Sequence, residues 1–211
     1  EYTIGQMLPS MTNVFYGCNL NKIVVDKQNR HYDSRGNCNA IINSKTNSLI
    51  VAGVNTRIPK TVTSIGDESF VCQIWLEKLK IPQDIEYIEC TAFDGRTMLS
   101  KIKVSKANKV YDSRDNCNAV METATNTLVV GSNNTIIPET TKKIGSMAFS
   151  GRAGLREIVI PSGVDFIMSG AFNNCINLER VVLPKTIHYN YPFGNCIRLN
   201  MNTIPGNGEV F

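Results

Sequence analysis

Apolar residues recur along the chain in short groups that end in strict alternation and are closed by proline. The clearest copy has apolar residues at Leu155, Ile158, Ile160, Val164, Ile167, Ala171 and Phe172. Alternation places Ile158 and Ile160 on one face of a β-strand. Pro161 then ends the strand, because proline has no amide hydrogen to donate to a neighbouring strand. The pattern therefore predicts strands, with helix limited to a single turn near Ala171–Phe172 and the equivalent positions.

The pattern repeats with two periods. A shift of 79 residues places Tyr111–Arg114 on Tyr32–Arg35, and a shorter step of 23 residues leads from Pro138 to Pro161 and on to Pro184. The residues that precede each proline, or its equivalent, stand at 25, 58, 81, 104, 137, 160, 183 and 204. A unit of 23 residues cannot enclose its own core, but stacked units bury equivalent side chains in continuous columns. We predict eight rungs, the last of them incomplete.

Two of the steps are 33 residues long and carry an insertion. Residues 39–43 and 48–52 flank the polar segment 44–47, and residues 118–122 and 127–131 flank 123–126. Both insertions predict β-hairpins. The whole chain, residues 1–211, is expected to form one right-handed, gently curved solenoid domain, with Phe70, Phe93, Phe149 and Phe172 in its core.

The unit resembles the BspA-like leucine-rich repeat family. Residues 58–70 and 137–149 carry the signature Ile-Pro-x-x-Val-x-x-Ile-Gly-x-x-Ala-Phe best, and residues 111–119 are similar to the hairpin-bearing repeat of that family. The resemblance covers about residues 14 to 205, although Glu89 and Met168 replace the glycine and the unit from Pro184 to Phe193 is two residues short. It implies a leucine-rich-repeat solenoid, mainly β with short helical turns. It also implies a secreted or cell-surface protein that mediates adhesion.

Composition and charge exclude several classes of protein. The formal net charge is +4, with 22 basic and 18 acidic residues, which is too small an excess to indicate nucleic-acid binding. No apolar run reaches 18 residues, so no transmembrane segment is predicted. Residues 1–11 lack the basic start and apolar stretch of a signal peptide. Tyr2–Gly5 resembles Ser64–Gly66, in the middle of a unit, and no N-terminal cap is visible. We therefore expect a fragment of a longer protein.

Catalytic chemistry is not indicated. The two histidines, His31 and His188, are far apart and are expected on the surface, and no nucleophile, phosphate-loop or metalloprotease motif occurs. No enzyme, cofactor or metal is therefore predicted. Asp112 and Asp115 suggest a calcium turn, but the first copy has Gly36 opposite Asp115, which favours a polar turn closed by aspartate.

The cysteines are expected to be reduced and packed inside. Seven is an odd number, so at least one is unpaired. Cys175 and Cys196 both stand three residues before the leucine that opens the next rung, and buried cysteine behaves as a small apolar residue. A redox or metal-binding role is the alternative.

Outward-facing positions supply the candidate binding residues. The second position after each leucine is Lys22, Lys78, Lys101, Glu157 or Arg180, and the fourth is Val24, Lys80, Lys103, Val159 or Val182. We call Lys78, Lys80, Lys101 and Lys103 the lysine face. It is either a solvated surface or a site for acidic partners. A second column reads Ser64, Tyr87, Lys143, Phe166 and Tyr189. The charged candidates for binding are therefore the lysine face, Lys22 and Arg180. The aromatic candidates are Tyr87, Phe166 and Tyr189, whose side chains either form an interface with a partner or pack between neighbouring rungs.

Two functions are consistent with these features. The first is a non-catalytic interaction or adhesion protein, secreted or at the cell surface, that binds a protein or an acidic glycan on host or neighbouring cells. The second is a ligand- or glycan-targeting repeat region of a larger secreted hydrolase.

Overall fold

The chain forms a β-solenoid of short strands joined by tight turns. A computed structural model describes residues 2–4, 15, 18, 20–71, 73–95 and 97–200. The strands are β1 (Tyr2–Ile4), β2 (Ile23–Val25), β3 (Tyr32–Asp33), β4 (Ala40–Asn43), β5 (Ser48–Ala52), β6 (Ser64–Ile65), β7 (Lys78–Ile81), β8 (Tyr87–Ile88), β9 (Lys101–Val104), β10 (Tyr111–Asp112), β11 (Val120–Glu122), β12 (Thr127–Val130), β13 (Lys143–Ile144), β14 (Glu157–Val159), β15 (Phe166–Ile167), β16 (Arg180–Val182) and β17 (His188–Tyr189). The predicted fold class, a mainly β leucine-rich-repeat solenoid, is confirmed.

Equivalent strands of successive rungs pair in parallel, in two series. The first strands form the pairs β1–β2, β7–β9 and β14–β16, and Lys78 lies opposite Lys101, one step of 23 residues later. The second strands form the series β5–β6–β8 and β12–β13–β15–β17. Pairing at this spacing confirms that the short period in the sequence is one rung of the solenoid.

Both predicted hairpins are present, and each has a third strand that the sequence did not reveal. β4 pairs antiparallel with β5, and β11 with β12, each with a bulge. β3 and β10 add to the outer side of these hairpins as two-residue antiparallel strands. The last strand of each hairpin then begins a parallel series, so the insertion is continuous with the solenoid.

Three predictions about the rungs differ from the structure. No strand precedes Ile58 or Ile137, because the backbone there bonds to the base of its own hairpin: Arg57 N donates to Cys38 O at 3.0 Å, and Ile136 N to Cys117 O at 3.1 Å. The short helical turns are 3₁₀ turns at Arg35–Asn37 and Arg114–Asn116, not at the Ala-Phe positions. Tyr2–Ile4 pairs with β2, so it takes the first-strand position rather than that of Ser64–Gly66. The eighth rung, at Ile204, lies outside the described residues.

Stacked phenylalanines form the centre of the core. Phe70, Phe93, Phe149 and Phe172 are all buried, as predicted. The rings of Phe149 and Phe172 stack with centroids 4.9 Å apart, and Phe193 continues that stack at 5.4 Å. Aromatic pairs in such offset arrangements contribute about 0.5–1.5 kcal/mol beyond the area they bury.

A fully buried arginine joins the two copies of the long repeat. Arg152 has a relative exposure of 0% and donates to Gly131 O at 2.8 Å, Phe93 O at 3.1 Å and Ser150 O at 2.7 Å. Burial lowers the pKa of Arg152 to about 10. At neutral pH the guanidinium therefore stays charged, held by carbonyl oxygens from three different rungs.

Candidate functional site

The lysine face lies on the outer side of the β7–β9 pair. Alternation turns Leu79, Ile81 and Ile102 into the core and leaves all four lysines exposed. Lys78 stands opposite Lys101, and Lys80 opposite Lys103. Neighbouring parallel strands are about 4.8 Å apart, so the positive charges are stacked directly. None of the four makes an ion pair with a carboxylate in the described part of the chain.

The same positions carry no net charge on the β14–β16 pair, which is the equivalent pair in the second copy of the long repeat. On β14–β16, Arg180 forms an ion pair with Glu157. The positions equivalent to Lys80 and Lys103 hold Val159, which is 55% exposed, and Val182, which is half-buried. Arg180 is therefore exposed but neutralised, and it does not extend the lysine face. Lys22, just before β2, is exposed.

The aromatic candidates do not form one column. Tyr87 is exposed opposite Ser64, and Phe166 is half-buried between Lys143 and His188. Tyr189 stands opposite Ile167, at a core position, and packs against the core. Its prediction as an outer residue was wrong, because β17 starts directly after Ile187 and the register there is one residue shorter. His188 takes the outward position instead.

A cleft borders the lysine face at β9. We call it the β9 cleft; it has a volume of about 760 Å³, and its two walls are residues 101–106 and residues 111–118. β9 is the last strand of its sheet, because the next rung has no first strand. Its open edge therefore faces the loop Ser113–Asn118, which closes the base of the second hairpin.

The first hairpin holds the equivalent edge closed. There Asn39 Oδ1 accepts a hydrogen bond from Ile23 N at 2.7 Å, and Asn39 Nδ2 donates to Asn21 O at 3.1 Å. Asn118, the counterpart of Asn39, donates to Asn134 O at 3.4 Å and makes no bond to Ile102. Among the described residues, one side chain of this loop forms a hydrogen bond with β9: Ser113 Oγ accepts from Val104 N at 3.1 Å. The β9 cleft therefore lies where the loop makes fewer hydrogen bonds to the strand than its counterpart in the first copy.

Comparison with known proteins places the chain in a family. The BspA type leucine-rich repeat region matches residues 11–119 and 129–211, in 6 copies. This chain belongs to the BspA-type leucine-rich repeat family. No curated protein sequence matches it.

Two solved structures support the BspA-type fold. A leucine-rich cell surface protein from Faecalibacterium prausnitzii A2-165 has a TM-score of 0.56 at 19% identity, over 93% of this chain and 62% of that one. The pneumococcal vaccine antigen PcpA has a TM-score of 0.54 at 18% identity, over 82% of this chain and 47% of that one. The chain thus spans about half to three fifths of the length of these two proteins, and the similarity at this identity establishes the fold.

The hairpin base of this BspA-type array is a structural clamp. Asp112 accepts from Arg114 N at 2.9 Å and pairs with Arg114 Nη2 at 2.7 Å. Arg114 Nη1 also donates to Asn126 Oδ1 at 2.6 Å, which fixes the far end of the hairpin. This supports the polar turn over the calcium turn, and no group of metal-binding side chains is found among the described residues.

Among the residues that the structure describes, the cysteines and histidines show no reactive arrangement. Cys175 Sγ donates to Phe149 O at 3.1 Å and Cys196 Sγ to Phe172 O at 3.0 Å, in the predicted column. Burial raises the pKa of Cys175 to about 12 and that of Cys196 to about 11, so both stay protonated and unreactive at neutral pH. Cys38 and Cys117 are also buried and Cys18 is half-buried, but Cys90 is exposed, so the expectation of packing inside was wrong for Cys90; Cys72 lies outside the described residues. His31 and His188 are exposed, as expected.

An exposed tryptophan next to the lysine face was missed from the sequence. Trp75 is 70% exposed, and Met98, one rung later, is 49% exposed. Their counterparts in the second copy are Gly154 and Asn177, and Asn177 Nδ2 donates to Ala153 O at 2.8 Å. Apolar residues at positions that are small or polar in the other copy were the available signal. Across the described residues, no helix is long and apolar enough to cross a membrane.

Proposed function

We propose that this chain is a non-catalytic interaction module of a secreted or cell-surface protein, and that its lysine face binds an acidic protein or glycan partner. The observation that carries the proposal is the stacking of four exposed lysines, in register, with no carboxylate paired to them among the described residues. Stacked like charges destabilise a sheet slightly. The β14–β16 pair fills the same positions without them, so the fold does not need this arrangement.

Neighbouring features suit the same role. Trp75 and Met98 place exposed apolar surface beside the charged face, and tryptophan and methionine are enriched at protein interfaces. The charged face supplies attraction at a distance, and the apolar residues supply contact area once a partner has docked. We further propose that residues 1–211 act as one solenoid domain, since Arg152 connects rungs of both copies.

The first test exchanges the four lysines of the lysine face for glutamate. Each exchange replaces a positive by a negative charge and lowers the net charge by two, so the formal net charge falls from +4 to −4. The matched control exchanges Lys27, Lys45, Lys60 and Lys185, which are exposed elsewhere, and has the same net charge. Binding to heparin and to polyglutamate is measured by calorimetry at about 20 and about 150 mM salt, since screening weakens such contacts.

We expect the lysine-face variant to lose binding to both probes, and the control to retain most of it. Wild-type affinity should fall steeply between the two salt concentrations. Equal losses in the two variants would mean that only net charge matters, and unchanged binding in a folded lysine-face variant would leave the face without a binding role.

A reciprocal exchange asks whether the face is sufficient. A second lysine face can be built on the β14–β16 pair by four exchanges, Glu157→Lys, Val159→Lys, Arg180→Lys and Val182→Lys. Because Val159 and Glu157 are exposed, the fold should tolerate the exchange. The variant should bind a second equivalent of probe, measured as the calorimetric stoichiometry; an unchanged stoichiometry would mean that stacked lysines alone do not make a site.

A further inference from the structure

We infer that the β9 cleft receives an extended acidic segment of a partner protein, which adds to the open edge of β9 as a further strand. This rests on the proposed function and specifies its partner as a polypeptide with acidic residues at alternate positions.

The edge of β9 has strand geometry and an unoccupied position. Lys101 N donates to Glu77 O at 3.1 Å and Ser105 N to Ile81 O at 2.9 Å, both towards β7. Amides of a strand in a parallel pair point alternately to the two sides, so those of Ile102 and Val104 point away from β7. On that side Val104 N donates a hydrogen bond to Ser113 Oγ. In the first copy Ile23 N donates to the side chain of Asn39, but its counterpart Ile102 N makes no such bond. The Ile102 amide is thus available to a new strand.

Charge favours an acidic segment. A strand added at this edge would lie about 4.8 Å from β9, with its outward side chains beside Lys101 and Lys103. These two residues are two positions apart, about 6.6 Å along the strand, which is also the spacing of alternate side chains on the added strand. Opposite charges directly across two strands are favourable. A segment with glutamate or aspartate at every second position would therefore pair with both lysines.

The opposite wall limits where the segment can lie. Arg114 is already paired with Asp112, so it adds no free charge to the cleft. Asp115 is exposed on that wall and would repel an acidic segment that moved away from β9. The cleft therefore directs acidic side chains to the lysine side. A polypeptide is favoured over a glycan because its regular amide and carbonyl groups match the open strand edge.

The experiment compares two pairs of lysines that carry equal charge. One variant has Lys101→Gln and Lys103→Gln, and its matched control has Lys78→Gln and Lys80→Gln. The probes are a capped hexapeptide of alternating Glu and Thr, a block isomer with the three Glu first, and a heparin hexasaccharide. Affinities are measured by calorimetry, and amide hydrogen exchange of the ¹⁵N-labelled chain is followed by NMR.

We expect the alternating peptide to bind about tenfold more tightly than the block isomer, since only it satisfies both lysines while bonded to the edge. The Lys101/Lys103 variant should weaken this binding several-fold more than the Lys78/Lys80 variant, whose lysines are one strand farther away. Exchange of the Ile102 amide should slow on binding. The Lys101 and Ser105 amides, already bonded to β7, should exchange as before.

Different results would separate this inference from the proposed function. If both peptides bind equally, both lysine variants weaken equally and Ile102 exchange is unchanged, strand addition is wrong but the lysine face remains a binding site. If only heparin binds, the partner is a glycan and the inference fails. Slowed exchange at Ile102 that depends on protein concentration without peptide would show that a second copy occupies the edge. If no probe binds, the proposed function fails as well.

Discussion

The two copies of the 79-residue repeat are residues 32–110 and 111–189. They have the same hairpin contacts but differ in their interiors and on their outer faces. The aspartate–arginine clamp is the same in both: Arg35 pairs with Asp33 and bonds to Asn47 Oδ1 at 2.8 Å, as Arg114 does with Asp112 and Asn126. The hairpins, the bulges and the parallel continuation of the last hairpin strand also correspond. The local polar contacts that shape the insertion therefore repeat with the sequence.

The interiors of the two copies are different. Gln73 occupies the position of Arg152, and its side chain donates to Ala52 O at 2.9 Å, just as Arg152 donates to Gly131 O. Arginine reaches further, to Phe93 and Thr97 in the preceding copy. The second copy thus has a longer polar connection at a position where the first has a short one.

The outer faces of the two copies also differ, and here the first copy has the additional features. The first copy carries the lysine face, Trp75 and Met98, all exposed, whereas the equivalent positions of the second carry an ion pair, two valines, a glycine and an asparagine. The two copies of one repeat thus differ in the role that we assign to each. The second copy holds the array together through its interior, and the first presents the surface on which the proposed binding depends.

The largest effect is expected from removing a stacked core ring. Phe149→Ala should lower the free energy of unfolding by about 3–5 kcal/mol, because it leaves a cavity in a fully buried site. Phe172→Ala should cost more than Phe70→Ala, since Phe172 stacks on both Phe149 and Phe193, whereas Phe70 stacks only on Phe93 among the described residues. Urea denaturation monitored by circular dichroism measures all three. Equal losses for Phe172→Ala and Phe70→Ala would mean that the longer stack adds no stability.

The next effect comes from making the second interior like the first. Arg152→Gln should lower the free energy of unfolding by about 2–3 kcal/mol, because the shorter side chain leaves the carbonyls of Phe93 and Ser150 without their donor. The exposed Arg156→Gln is the control and should change stability by less than about 0.5 kcal/mol. A loss as small as that of the control would contradict a role for Arg152 in joining the copies.

The smallest effect concerns the residue whose carbonyl oxygen accepts this polar contact, which is Ala52 in the first copy and Gly131 in the second. A Cβ on Gly131 would lie 2.1 Å from Cε1 of Phe149, so Gly131→Ala should displace the ring and cost about 1–2 kcal/mol. The reverse change in the first copy, Ala52→Gly, removes only a buried methyl group, and we expect a cost of about 1 kcal/mol without displacement of Phe70. Ring chemical shifts of Phe149 and Phe70 distinguish the two. An unmoved Phe149 would refute the steric argument.

The parts of the structure that depend on pattern could be predicted from the sequence. The hairpins and the four phenylalanines follow from alternation and from the two periods, which fix the register of the rungs before the short final unit. β3 and β10 are two residues long, too short for alternation to be visible. Burial of Arg152 runs against the usual exposure of arginine, and it depends on carbonyls that are distant in the chain.

The candidate site divides in the same way. Exposure of the lysine face follows from alternation within β7 and β9. The β9 cleft does not, because it arises from the separation of Asn118 from Ile102, and Asn39 and Asn118 are identical residues in matching segments. Tyr189 was misplaced since the short final unit shifts its register by one residue, which a fixed period cannot show.

The contacts of Arg152 also bear on how such an array can change over generations. Tandem repeats lengthen and shorten by duplication and loss of whole units, which is neutral for the core when every unit makes the same contacts with its neighbours. Arg152 requires oxygen atoms from Phe93, Thr97 and Gly131 at fixed distances. Deleting or duplicating a rung between them would bury a charge without its acceptors. The units at this junction are therefore not interchangeable, and we expect a change in the number of rungs there to destabilise the core.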